Sequence, residues 1–343
     1  MPRIGFGVIG AGLWGEAHAY VYATHSGARL VAVCDVREDK ATEMAARYGA
    51  KPFTDYRAML EDPEIEAVGI ATPDFAHADP LIACAERGKA VHVEKPLATN
   101  WHDLERIAAA LKAHPVPVMV DFHARWSPPF ALVRQSITRG EIGQLISAYY
   151  RLNDKIEVPT SMLGWAAKSS ILWFLGSHSV DTLRFLLGSE VRRVYAVSRA
   201  EVLKSMGYDV PDIYQTTLEF ENGVIAQIEN NWIIPNSNPN VNDIKLNILG
   251  SKGMFNLDLT HNQAIERYLE NSADNPDFLV KPTVHGKRMG FAYEAIRDFV
   301  DRIGAGQEPL ATAADGMKVS CVIIAIMESA ARRKPVEVKY ISL

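Results

Sequence analysis

The sequence predicts an α/β protein, with an N-terminal doubly wound parallel sheet followed by an α+β domain built on a mostly antiparallel sheet. Three observations lead there. Short apolar runs alternate with amphipathic stretches through the first third of the chain, a glycine-rich turn stands between the first strand and the first helix, and strands follow one another without helices further on. A length of 343 residues suits two domains, and the texture changes after Phe122, so the expected division is 1–122 and 123–343.

In the first domain, Ile4–Ile9, Leu30–Cys34, Ala67–Ala71, Ala90–Val93 and Val116–Val120 have the short apolar character of strands buried on both faces. The intervening Leu13–Thr24, Glu38–Tyr48, Ala76–Arg87 and Asn100–Ala113 read as helices, the last opened by Asn100 as N-cap. Such alternation implies right-handed crossovers. In the second domain, Pro128–Arg139 and Leu172–Leu187 read as helices, and Val191–Ala200, Tyr214–Phe220, Val224–Trp232 and Asp243–Leu249 as strands, with a turn at Glu221-Asn222-Gly223. Asn271–Gly290 is polar and reads as a long loop. Helices at Phe291–Ala305 and Gly316–Ala331 and a strand at Val336–Lys339 close the chain.

Composition excludes several classes. A hydrophobic fraction of 48% with 22% charged residues is that of an ordinary soluble protein, and a net charge of −5 without a dense basic run argues against nucleic acid as partner. No apolar run reaches the roughly 18 residues of a membrane span, and Ile4 to Ile9 is too short for a signal segment. A cytoplasmic location follows as the expectation. Cys34, Cys84 and Cys321 are odd in number, far apart and set in apolar sequence, so they are read as reduced core residues.

Gly10-Ala11-Gly12-Leu13-Trp14-Gly15 fits the dinucleotide fingerprint where the physics needs it. Gly10 permits a tight turn, Gly12 a close pyrophosphate, and Gly15 close helix packing, while the helix N-terminus offers amide donors to phosphates. Asp35 follows Gly15 by 20 residues at the end of the second strand, where its carboxylate can bind ribose hydroxyls and repel a 2′-phosphate. NAD is therefore the expected cofactor, with NADP admitted by the nearby Arg37. Thr72, Pro73 and His77 follow the strand Ala67–Ala71 at the edge that faces ligand in such sheets, and are expected to line the cofactor. Glu94-Lys95-Pro96 follows the next strand, with Pro96 disfavouring helical geometry at Lys95.

In the second domain Gly176-Ser177-His178-Ser179-Val180-Asp181 opens a helix, and the spacing places His178 and Asp181 on one face. A carboxylate beside an imidazole orients it for acid/base work. Asp121 and His123 have the look of a metal pair in isolation, but no further ligands cluster with them and no metal is expected.

The glycine fingerprint, Thr72-Pro73…His77, Glu94-Lys95-Pro96 and Gly176-x-His178-x-x-Asp181 together resemble the Gfo/Idh/MocA family, that of glucose-fructose oxidoreductase and inositol dehydrogenase. The match extends to the closing Glu328-Ser329-Ala330 and Pro335-Val336. The resemblance implies a Rossmann domain joined to a C-terminal domain with a large open sheet that mediates assembly as a homodimer or homotetramer. It also implies NAD(P)-dependent hydride transfer at a secondary alcohol of a sugar, polyol or glycoside. Lys95 resembles the family's lysine near the reacting carbon, His178 its acid/base, and Asp181 the partner of that histidine. Glu94 belongs to the cofactor side of the same motif.

His123, Arg125, Asn153, Lys155, Trp165, Phe174 and His178 are the expected substrate contacts. Phe174 departs from the family, in which many relatives carry Asp four residues before the histidine. The change removes an acceptor available to a substrate hydroxyl and points to a less polar or a differently oriented substrate. Two further activities fit the same motifs: a redox-neutral, NAD-assisted glycoside hydrolase or lyase, and a non-catalytic sensor of NAD and sugar.

Overall fold

The computed structural model describes residues 3–260 and 264–343. The chain forms two compact units. The first comprises Met1–His123, Ala292–Ser320 and Tyr340–Leu343, and the second Ala124–Phe291 and Cys321–Lys339.

The first unit is built on β1 (Ile4–Ile9), β2 (Ala28–Cys34), β3 (Lys51–Phe53), β4 (Ala67–Ile70), β5 (Ala90–Val93) and β6 (Val118–Val120), arranged in the order β3-β2-β1-β4-β5-β6. Every pairing is parallel. Helices α1 (Leu13–Thr24), α2 (Glu38–Tyr48), α3 (Tyr56–Leu60), α4 (Ala78–Glu86) and α5 (Trp101–Ala113) make the connections. Asn100 caps α5 as expected, its side-chain oxygen accepting from the Asp103 N–H. Strand order reverses between β1 and β4, which creates the crevice where ligands bind in open α/β sheets.

The expected boundary at 122/123 leaves the segment Ala292–Ser320 in the second domain, whereas it packs with the first sheet. Phe299 meets Phe6 edge-on at 6.3 Å, Phe6 stacks on Tyr22 at 4.0 Å, and the Val120 N–H donates to the Ala311 carbonyl at 2.8 Å. A sequence split by chain order cannot register such a return. The strand β3, of which only Phe53 is not exposed, also escaped the apolar pattern.

The second unit holds α6 (Pro128–Thr138), β7 (Leu145–Asp154), α7 (Ser177–Leu187), β8 (Val191–Arg199), α8 (Val202–Ser205), β9 (Ile213–Phe220), β10 (Ile225–Asn231), β11 (Asn242–Gly250) and β12 (Met254–Asp258). Two small exposed hairpins follow, β13 (Arg267–Leu269) with β14 (Ser272–Asp274) and β15 (Thr283–Val284) with β16 (Lys287–Arg288), the last three strands falling where a continuous loop was expected. Helices α9 (Phe291–Gly304) and α10 (Ala313–Arg332) and the strand β17 (Val336–Glu337) complete the chain.

The main sheet of this unit has the order β12-β11-β7-β10-β9-β8-β17, with only β7 and β10 parallel. β7 lies inside this sheet, between β11 and β10, although no strand was expected there. Its register puts Ala148, Tyr150 and Leu152 on one face with Ala226, Ile228 and Asn230, and Tyr149, Arg151 and Asn153 on the other. α7 covers the first of these faces, the Asn230 amide donating to Ser179 Oγ at 3.0 Å.

The three cysteines are buried thiols. Burial pushes Cys34 and Cys84 up to about 12, which keeps them unreactive. Among the described residues no helix is long and apolar enough to cross a membrane.

The Phe299→Ala variant is expected to lose roughly 3–5 kcal/mol of stability, the cost of a large aromatic cavity, with the loss appearing in the unfolding of the first unit. Urea unfolding followed by hydrogen exchange on β1 and β5 measures it; an unchanged β1 would place the helix outside this core.

Candidate active site

The glycine turn has the geometry that a dinucleotide needs. Gly10 adopts φ +100°, and a Cβ there would lie 2.5 Å from the Ala71 carbonyl oxygen; a Cβ on Gly15 would lie 1.7 Å from that of Gly10. Side chains are excluded at both positions. Above Gly12 there is open space within 4 Å, and this residue caps α1. Leu13 and Val36 are exposed beside the turn and present apolar surface. The residues thus leave room for a pyrophosphate at a helix N-terminus.

Asp35 closes the adenosine side. Its oxygens accept the Ala11 N–H at 2.7 Å and the Arg37 N–H at 2.9 Å, which fixes the carboxylate while leaving lone pairs for ribose hydroxyls. The Arg37 guanidinium is turned to Asp39 at 2.7 Å, an exposed pair. A 2′-phosphate would meet Asp35 first.

Thr72 and His77 stand as expected after β4, but His77 is only 1% exposed and bridges two carbonyls, those of Thr72 at 3.0 Å and Pro96 at 2.7 Å. Burial lowers its pKa, against the pull of the two carbonyls and of Asp74. His77 is therefore a clasp between the loops after β4 and β5 in place of the expected cofactor contact. Pro73 begins the short helical turn Asp74–Ala76. The clasp fixes the carbonyl next to Lys95, itself 8% exposed and joined to Pro96 by a cis peptide.

Behind this edge lies a buried polar cluster that the sequence reading did not assemble. Glu94 accepts from His18 Nε2 at 3.3 Å, and His18 Nδ1 meets the Tyr22 hydroxyl at 3.0 Å. Asp121, fully buried at the end of β6, holds His123 Nδ1 at 3.1 Å and faces His92 Nε2 at 3.6 Å. Burial alone would raise the Asp121 pKa, but His123 and His92 outweigh it and hold the carboxyl well below its ordinary range. Burial, with the Asp121 charge added, pushes Glu94 well above the usual carboxyl range. The two carboxyls are thus pushed in opposite directions. The signal was present as His18, His92, Glu94, Asp121 and His123, but their proximity depends on the order of the strands.

In the second unit, α7 is preceded by a π-helical turn, Leu172–Gly176. Gly176 sits in tight packing, since a Cβ would lie 3.0 Å from Leu172 Cδ2 and 3.3 Å from Asn230 Oδ1. Ser177 Oγ donates to the Trp173 carbonyl at 2.8 Å, so the segment carrying His178 is bonded to the turn before it. His178 is 8% exposed. Asp181 receives a bidentate bond from Arg125, 2.9 Å from Nε and 2.6 Å from Nη2, with Arg184 at 3.7 Å. The carboxylate expected beside His178 and the arginine expected at the substrate are thus partners of each other.

Asn153 is fully buried, donates to Glu229 at 2.8 Å and accepts from the Asn231 N–H at 2.8 Å, on the sheet face opposite α7. It serves the sheet. Lys155 lies 3.9 Å from Glu157. Trp165 meets Phe174 edge-on at 6.2 Å, both half-buried. Among the described residues no group of three or more metal-binding side chains is present.

Comparison with known proteins gives the same architecture. Residues 4–122 match the family described as "Oxidoreductase family, NAD-binding Rossmann fold", and residues 130–256 the "GFO/IDH/MocA C-terminal domain". Levoglucosan dehydrogenase of Pseudarthrobacter phenanthrenivorans is 29% identical with 100% of both chains covered. Myo-inositol 2-dehydrogenase of Thermotoga maritima is 26% identical, covering 97% of this chain and 98% of its own. A solved levoglucosan dehydrogenase in complex with NADH and L-sorbose is 27% identical with a TM-score of 0.82, covering 99% of this chain and 100% of that one.

Burial lowers His18 and His92 to about 4, so both are neutral when folded at pH 7, whereas unfolded imidazoles titrate near 6.5. As pH falls through that window the unfolded chain takes up two protons and the folded chain does not, so stability is lost. Glu94, protonated when folded, works in the opposite direction with one proton. These three groups alone give a loss on the order of 1.4 kcal/mol per pH unit, and His77, whose pKa burial also lowers, adds to it. Urea unfolding between pH 4.5 and 6.5 should show it, and His92→Gln should flatten it; an equally steep dependence in the variant contradicts a neutral His92.

Proposed function

The chain belongs to the Gfo/Idh/MocA family of NAD-dependent oxidoreductases, and from that premise we propose that it oxidises a secondary alcohol of a sugar, polyol or glycoside. The observation that carries this is the carboxyl edge of the first sheet, where the open Gly12 turn, the fixed Asp35 carboxylate and the buried Lys95 stand at the ends of β1, β2 and β5. Its relatives include a levoglucosan dehydrogenase and an inositol 2-dehydrogenase.

Gly10, Gly12 and Gly15 with the α1 N-terminus hold the pyrophosphate of NAD, and Asp35 the adenosine ribose. When bound, NAD supplies the hydride acceptor. His178 and Lys95 are assigned the proton-handling roles, His178 taking the hydroxyl proton. Asp181 works through Arg125, which it holds, and their pairing secures α7. The substrate meets Trp165, whose ring offers a flat apolar face to sugar C–H groups, with Phe174 edge-on beside it. Phe174, four residues before His178, selects against substrates that need a carboxylate acceptor there. Self-association as a dimer or tetramer is assigned to the outer face of the second sheet, on which Tyr195, Val197, Ile225 and Leu249 are exposed.

A panel of sugars and polyols with NAD or NADP, read by NADH absorbance and product mass, tests the activity. NADH should accumulate with a product lighter by two hydrogens, and NAD should be preferred. Product without net NADH would make the enzyme redox-neutral, and a tightly bound sugar without product would make the protein a sensor. Lys95→Ala should lower turnover roughly 100-fold, within the range of positioned acid/base groups; wild-type turnover would remove Lys95 from the chemistry.

A further inference from the structure

His123 does more than follow β6. Its ring lies almost parallel to that of Trp14, with centroids 5.2 Å apart and planes inclined by 22°. Trp14 belongs to the glycine fingerprint, in the first turn of α1, so the stack joins the phosphate-binding helix to the end of the last strand. His123 is held by Asp121, which also faces His92 of β5, a ring that lies against Phe299 at 5.0 Å and against His18 at 4.7 Å. Each ring in this series has its orientation set by the next.

The topology says which part of a dinucleotide would meet it. Asp35 ends β2 and takes the adenosine ribose, on one side of the switch point between β1 and β4. The other mononucleotide half lies over β4, β5 and β6, and His123 stands at the end of β6. The glycine turn leaves Gly12 open, and Trp14, two residues on, is half-buried.

We propose that Trp14 and His123 form a preformed shelf for the nicotinamide end of NAD, with Asp121 as the positioning residue that holds His123 flat against the indole. This rests on the dinucleotide site proposed above. Trp14 contributes an apolar face to the ring; His123 limits the tilt of the indole; Asp121 fixes the imidazole through Nδ1. No bond is made or broken by any of the three. Their contribution is to orient one end of the cofactor before it arrives, which reduces the ordering that binding would otherwise require.

The test compares NADH with ADP-ribose, which carries the adenosine, both phosphates and the second ribose but no nicotinamide. Affinities are measured by calorimetry for wild type, His123→Ala, Asp121→Asn and Trp14→Phe, and sensitised NADH emission on tryptophan excitation is recorded, with Trp14→Phe isolating the Trp14 contribution. The shelf predicts NADH affinity lowered roughly three- to tenfold in His123→Ala, the range of an aromatic contact, with ADP-ribose affinity unchanged and the Trp14 part of the sensitised emission altered. Asp121→Asn should act in the same direction. Equal loss for both ligands, or unchanged NADH affinity and emission in His123→Ala, would overturn the shelf. Should Asp121→Asn fail to fold, His123→Ala decides alone, because its side chain reaches solvent. Failure of wild type to bind either ligand would remove the dinucleotide site itself.

Discussion

The charge on Asp121 is the constraint around which the carboxyl edge of the first sheet is arranged. A fully buried carboxylate is costly unless neighbouring groups compensate it, and here the neighbours are histidines brought from the middle of β5 and from the turn after β6. Once Asp121 keeps its charge, Glu94 cannot also ionise in the same low-dielectric space, and its proton follows. His18 and His92 remain neutral because burial outweighs the attraction of a single carboxylate. The residue that opens the Glu94-Lys95-Pro96 motif is therefore pushed toward its neutral form, and Asp121, one strand further along, is held toward its charged form.

Much of the fold was legible because its signals are local. The apolar strands β1, β2, β4 and β5 lie between helices whose limits are marked by Gly12, Asn100 and Gly49, and the glycine fingerprint is a steric requirement written directly into residue type. β7 was missed because its buried apolar residues alternate with Tyr149, Arg151 and the buried polar Asn153, and its ending in Asn153-Asp154 reads as irregular until the neighbouring strands supply partners. The return of Phe299 to the first core has no local signal at all.

The same distinction applies to the site. Gly10, Gly12, Gly15 and Asp35 could be placed from spacing, since a turn, a helix and a strand separate them by fixed lengths. His77 could be placed but its role could not, because its partners are the carbonyls of Thr72 and Pro96, on two different loops. Arg125 and Asp181 were each singled out for a substrate or a histidine; 56 residues apart, they are bound to each other. In the second unit a packed glycine, a π-helical turn and two serine hydroxyls set the start of α7, so His178 is carried by a segment with little freedom.

The proton distribution between Glu94 and Asp121 is open to direct measurement by infrared difference spectroscopy of the protonated-carboxyl C=O stretch at neutral pH. Wild type should show a buried carboxylic acid band that disappears in Glu94→Gln and persists, shifted, in Asp121→Asn. A band that survives Glu94→Gln and is lost in Asp121→Asn would place the proton on Asp121 and contradict the arrangement from which the rest of this edge follows.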